Sequence, residues 1–177
     1  MSRVPAILSL MVALFAITLM SGCAKSDASD KAEASRHRSK LLLAEEPTGA
    51  KGVIDTRERM PREGEFVIVG KIGGRANPWT EGQASFVLAD ASIALESDGK
   101  HQCDDAGCAF CSKSSKQTEQ QLVALVQFNG DDGKVVPIGA QELFEIGASD
   151  TVVVRGRAKV SDDGWLIVVA DGLYVRK

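Results

Sequence analysis

The sequence predicts an all-β domain of five strands, with one short helix between the third and fourth. Short runs rich in Val, Ile and Phe recur with turn residues between them, the mark of strands. A single segment, Q-E-L-F-E-I at 141–146, breaks that alternation and reads as one or two helical turns. Residues 63–177 are one small domain by length.

The first strand is 65–72, E-F-V-I-V-G-K-I, ended by Gly73-Gly74. Asn77-Pro78 and Glu81-Gly82 mark a turn, and a second strand lies within 84–93, centred on Ser85-Phe86-Val87-Leu88. The third is 122–128. The polar turn N-G-D-D-G follows, and Val135-Val136 pairs back as a short extension. Leu143, Phe144 and Ile146 are the apolar contacts of the helix, with Gly147 at its C-cap. In the fourth strand, 151–160, Val152, Val154, Gly156, Ala158 and Val160 share one face, and Val153, Arg155, Arg157 and Lys159 the other. Asp162-Asp163-Gly164 turns the chain into a fifth strand from Trp165 to Ala170, continued by Leu173-Tyr174-Val175 after a kink at Gly172. Phe66, Phe86 and Phe128 are expected in the core.

Three strands, a short helix and a hairpin resemble the order of an OB-fold, the small five-stranded Greek-key barrel that binds oligonucleotides and oligosaccharides. The hairpin V-V-V-R-G-R-A…G-W-L-I-V-V-A-D-G-L-Y-V is similar to the last two strands of exported OB-fold domains. The resemblance implies that Gly70 and Gly156 relieve crowding where strands bend. Residues 97–121 then form an insertion between the second and third strands.

Arg3 precedes an uncharged apolar run, Val4 to Met20, and then Ser21-Gly22-Cys23. This is the pattern of a secretory signal. Leu19-Met20-Ser21-Gly22-Cys23 resembles the lipobox of bacterial lipoproteins. That resemblance implies a signal peptide over 1–22, lipidation of Cys23 and a membrane anchor in the cell envelope. Ala24 in place of Asp favours the outer membrane over the inner by the sorting rule of some Gram-negative bacteria. Residues 23–62 are polar at first, with few aromatics, and read as a flexible tether. Leu41-Leu42-Leu43 stands out as a helical turn, a docking patch or a stray apolar run. His37, between two arginines, reads as solvated.

The insertion carries His101, Cys103, Cys108 and Cys111 within eleven residues, as H-x-C-x4-C-x2-C. Three thiolates and a neutral imidazole complete a tetrahedral zinc site, and such an ion would order a loop otherwise rich in Asp, Gly and Ser. Copper(I) also takes soft ligands. The C-x4-C-x2-C spacing matches three cysteines of plant-type [2Fe–2S] ferredoxins, whose fourth is missing here. A disulfide from Cys111 to Cys108 or to Cys103 is the simple alternative. It leaves one thiol over, because three cysteines remain once Cys23 is lipidated. A C-x2-C redox pair normally opens a helix beside a βαβ unit, which is absent here.

Residues 63–177 hold 17 acidic and 11 basic side chains, a net charge of −6. The domain lacks the basic footprint of a nucleic-acid binder. Arg155, Arg157 and Lys159 form a basic stripe, either a ligand-binding face for phosphates or acidic sugars or a solvated outer face. The aromatic platforms that such a binding face uses are scarce, with two Trp and one Tyr in the chain. No G-x-S-x-G, Walker loop or H-E-x-x-H is present. The sequence thus points to a binding protein with a metal loop and a protein or glycan partner in the envelope, rather than to an enzyme.

Overall fold

A computed structural model of the chain describes residues 26–60, 63–92 and 120–177. Helix α1 is Ser26–Leu41 and helix α2 is Val53–Arg59. Strands β1 (Glu63–Ile72), β2 (Ser85–Ala89) and β3 (Val123–Phe128) precede helix α3 (Ala140–Phe144), and β4 (Thr151–Val160) and β5 (Leu166–Val175) complete the order. The chain divides into two compact units, Met1–Ala34 and Ser35–Lys177. In the first, the described residues 26–34 are helical. The second holds the barrel.

The five strands close in the order β1-β2-β3-β5-β4, with β3 and β5 parallel and all other neighbours antiparallel. This is a small all-β, OB-like barrel, as the order of elements predicts. Strand β1 pairs with β4 from Glu63 to Lys71 and with β2 through Lys71 and Ile72. The two glycines expected to relieve crowding both do so. A Cβ on Gly70 would stand 2.4 Å from the Ala89 carbonyl oxygen, and one on Gly156 would stand 2.3 Å from that of Val169. Gly156 also marks a register shift between β4 and β5.

The inward faces meet in an aromatic row. Phe86 and Phe128 have ring centroids 6.1 Å apart, and Phe128 and Phe144 4.6 Å. Phe144 belongs to α3, so the short helix plugs the barrel with Leu143 and Phe144, both buried. Trp79 meets the far edge of Phe86 in a T-shaped contact. Phe66 is only half-buried. The extension after β3 forms as expected, with Val136 donating to the Phe128 carbonyl at 2.9 Å.

Several expectations are corrected. Helix α3 ends at Phe144, and Glu145, not Gly147, takes the left-handed capping conformation at φ 55°. Gly147 instead donates to the Asp150 carboxylate at 2.8 Å. Trp165 precedes β5 rather than opening it; the strand continues through Leu173 to Val175 as expected, with a register irregularity at Asp171, between Ala170 and Gly172. Val160 shares the face of Val152 and Val154 yet is exposed, whereas Val153, on the face of Arg155, Arg157 and Lys159, is fully buried.

The cause of the last difference is the segment read as a tether. From Ser35 onward it belongs to the barrel's own unit. Leu41 is buried, Leu43 donates to the Leu173 carbonyl at 2.7 Å, and the Leu43 side chain covers Gly172. Lys51 donates to Val67 at 3.0 Å and accepts from Val69 at 2.9 Å. Leu43 and Lys51 thus sit on opposite edges of the β5-β4-β1 ribbon, each away from β4. Residues 42–51 strap across its outer side at the level of Val153. Glu46 grips Arg176 with both carboxylate oxygens, and the hydrogen bonds hold its pKa below the usual carboxylate range. At the end of α1, Arg38 pairs with Glu145 and Lys40 with Asp131. His37 lies beside the Gly130–Asp131 turn.

Overpacking a tight site costs about 1–3 kcal/mol. Gly156→Ala should therefore destabilise the protein by about 2 kcal/mol or more in urea unfolding. Gly133→Ala should strain only its own turn, since nothing lies within 4 Å of a Cβ there.

Candidate functional site: the neck of the 93–119 loop

Strands β2 and β3 form an antiparallel pair with Ala89 opposite Val123. The chain between them therefore leaves and returns at one place on the barrel. His101, Cys103, Cys108 and Cys111 lie in 93–119, outside the described residues, as does Cys23. Among the described residues no three His, Cys, Asp or Glu side chains stand together as a metal site. No helix among them is long and apolar enough to cross a membrane. The described part of the site is its neck.

Beyond the Ala89–Val123 pair, the Asp90 amide donates to the Leu122 carbonyl at 2.9 Å. The Asp90 side chain is buried, at 7% exposure, and still has its polar atoms satisfied. One oxygen accepts from the Ile54 amide at 3.0 Å, and Val53 bonds to the carboxylate as well. The other accepts from the Ser92 amide at 2.9 Å and hydroxyl at 2.7 Å. Asp90 thus caps helix α2 from another part of the chain, since Gly52 at the N-cap has no side chain to offer. A Cβ on Gly52 would lie 2.6 Å from an Asp90 oxygen, so any side chain there would displace the cap. Burial pushes the Asp90 pKa up, but the bonds from Ser92, Ile54 and Val53 outweigh it and leave the value below the usual range.

On the returning stem, Arg57 of α2 donates to the Gln120 carbonyl and, at 3.0 Å, to the Gly164 carbonyl in the β4–β5 turn. Gln120 donates its side-chain amide to the Asp163 carbonyl at 3.0 Å. That turn is closed on itself by the Trp165 amide, which donates to the Ser161 hydroxyl at 3.0 Å. Beneath lies a small second core of Val87, Ala89 and Val123, with Leu122 and Trp165 packed against it. The Arg75 guanidinium stands 4.9 Å from the Trp165 ring centroid.

The basic stripe has a different setting. Arg155, Arg157 and Lys159 are exposed on β4, and β1 opposes two of them with acids, Glu65 to Arg157 and Glu63 to Lys159. Arg155 bonds Asp171 at 2.7 Å and Arg157 reaches Glu65 at 3.7 Å. Opposed charges across a strand pair stabilise the sheet modestly and leave less free positive potential for an anionic ligand.

A scan of protein-family models finds none that matches the chain, and a search of curated proteins finds no match. Sequence reasoning missed Gly52, Arg57 and Asp90. The available signal was local: V-I-D-T-R-E-R after a glycine carries an Asp55–Arg59 pair at helical spacing.

Two outcomes test the neck. Loss of the Asp90 cap should cost about 2 kcal/mol, so Asp90→Asn should lower unfolding stability at pH 7 by about that amount. Its pKa is depressed on folding, so the carboxylate's contribution is complete above its unfolded value of about 3.9 and is lost as pH falls through the folded value. The stability gap between wild type and Asp90→Asn should therefore be full at pH 7 and close in strong acid.

Proposed function

We propose that this protein is a lipid-anchored envelope protein whose OB-like barrel carries a zinc loop, with His101, Cys103, Cys108 and Cys111 as ligands. The observation that carries the reading is the donor set itself: three thiols and an imidazole within eleven residues, at a spacing that closes a tetrahedron. The neck supports it. A loop whose two ends are tied to the barrel at Asp90 and Gln120 begins from a fixed base, so ordering it by a metal costs less entropy. With all four ligands bound the site is closed and leaves no position for a catalytic water. The ion's role is then structural, and the loop is the surface offered to an envelope protein or glycan. Anchoring at Cys23, on the outer membrane rather than the inner, follows from Leu19-Met20-Ser21-Gly22-Cys23 and from Ala24.

Copper(I) in place of zinc is the variant of the same reading. The rival is a glycan- or protein-binding module in which two of the three cysteines are cross-linked, which the stripe at Arg155, Arg157 and Lys159 would serve. The paired acids on β1 and β5 count against that use of the stripe.

The test is elemental analysis of the full chain, solubilised in detergent without chelator, alongside a count of thiols reactive under denaturing conditions. We expect one zinc per chain and three loop thiols that react only after a chelator is added. Cys108→Ser should lose the metal; a stoichiometric ion retained in that variant would rule the site out. Absence of metal with one reactive loop thiol would establish the disulfide instead.

A further inference from the structure

Arg57 is set unusually for an arginine on a short surface helix. Its guanidinium is drawn in far enough that desolvation lowers its pKa. Among the described residues it meets no carboxylate, and its Nε has no acceptor. Its bonds go only to two backbone carbonyls, Gln120 and Gly164, which belong to two different segments. Drawing a cation out of water costs stability, which the two carbonyl bonds offset in part. What these bonds fix is position, because the planar guanidinium fork holds its donors, and so the two carbonyls, in a rigid arrangement.

The other end of the same helix is held by Asp90, through Val53 and Ile54. Helix α2 is only seven residues long and too short to persist without tertiary contacts. Its first turn therefore depends on the stem at Asp90, and its second on the stem at Gln120. Its start is fixed by Lys51 on β1.

We infer that helix α2 is a latch across the neck of the loop, with Arg57 and Asp90 as its two positioning residues. Undocking the helix releases both stems together, and whatever the loop binds tightens the helix in return. The inference extends the metal reading above, because zinc affinity then depends on Arg57, which is not a ligand.

Amide hydrogen exchange on the full chain in detergent tests the latch without metal. Arg57→Ala should speed exchange at the Asp90 amide by at least about tenfold, together with Ile54 and Thr56, while Val126 in β3 keeps its protection. Arg57→Lys keeps the charge but not the fork, and should behave as Arg57→Ala does. Unchanged exchange at Asp90, or equal loss at Val126, would overturn the latch.

Zinc alone is the second probe. It should slow exchange at Ile54 in the wild type, and Arg57→Ala should bind zinc about tenfold more weakly in chelator competition. Zinc bound equally well by both proteins would overturn the coupling. A wild type that takes no zinc would refute the metal reading, and the latch would then stand or fall on the metal-free exchange.

Discussion

Strand β1 has to serve two neighbours, and closure of the barrel depends on the place where it changes from one to the other. Lys71 is that place, paired with Thr151 of β4 and with Ala89 of β2. The strand can bend there because position 70 has no side chain to strike the Ala89 carbonyl. Once β2 is fixed beside β1, β3 follows as its antiparallel partner, and the parallel β3–β5 pair completes the circle. The neck of the cysteine loop is a product of the same constraint. Ala89 is held on one side by β1 and on the other by Val123, so both stems start from a corner braced on two sides.

Two kinds of interaction divide the work around that corner. Inside, Phe86, Phe128 and Phe144 fill the barrel by packing alone. Outside, at the neck, polar bonds carry more of the specificity. Asp90 and Arg57 each bond to backbone groups, which fix direction as well as distance. Apolar packing tolerates small shifts, whereas a carboxylate that must accept from both Ile54 and Ser92 does not. The small core of Val87, Ala89 and Val123 lies beside the same strand ends.

The strands were legible because their patterns are local. Alternation in 151–160 and the turn at 162–164 place β4 and β5 correctly, and the missing alternation at 141–146 places the helix. What was not legible rests on partners far along the chain. Leu41-Leu42-Leu43 has no meaning until Leu173 is beside it, and Val153 faces outward by pattern yet is covered by that same strap. Arg57 reads as one basic residue in a polar helix; its partners lie 107 and 63 residues away. Of the candidate site, the spacing of His101, Cys103, Cys108 and Cys111 came from sequence, and the ties at Asp90 and Gln120 came only from the fold.

The strap also sets an order of events. Its partner strand β5 lies far along the chain, and Glu46 and Arg176 are 130 residues apart. Residues 42–51 therefore cannot complete their contacts until β5 is in place. Closing so long a loop adds to the contact order and slows folding. Until it closes, the free edges of β1 and β5 stay open to pairing with other chains. Strap closure is then the step that covers those edges against self-association, and disrupting Leu173 or Arg176 would leave it undone.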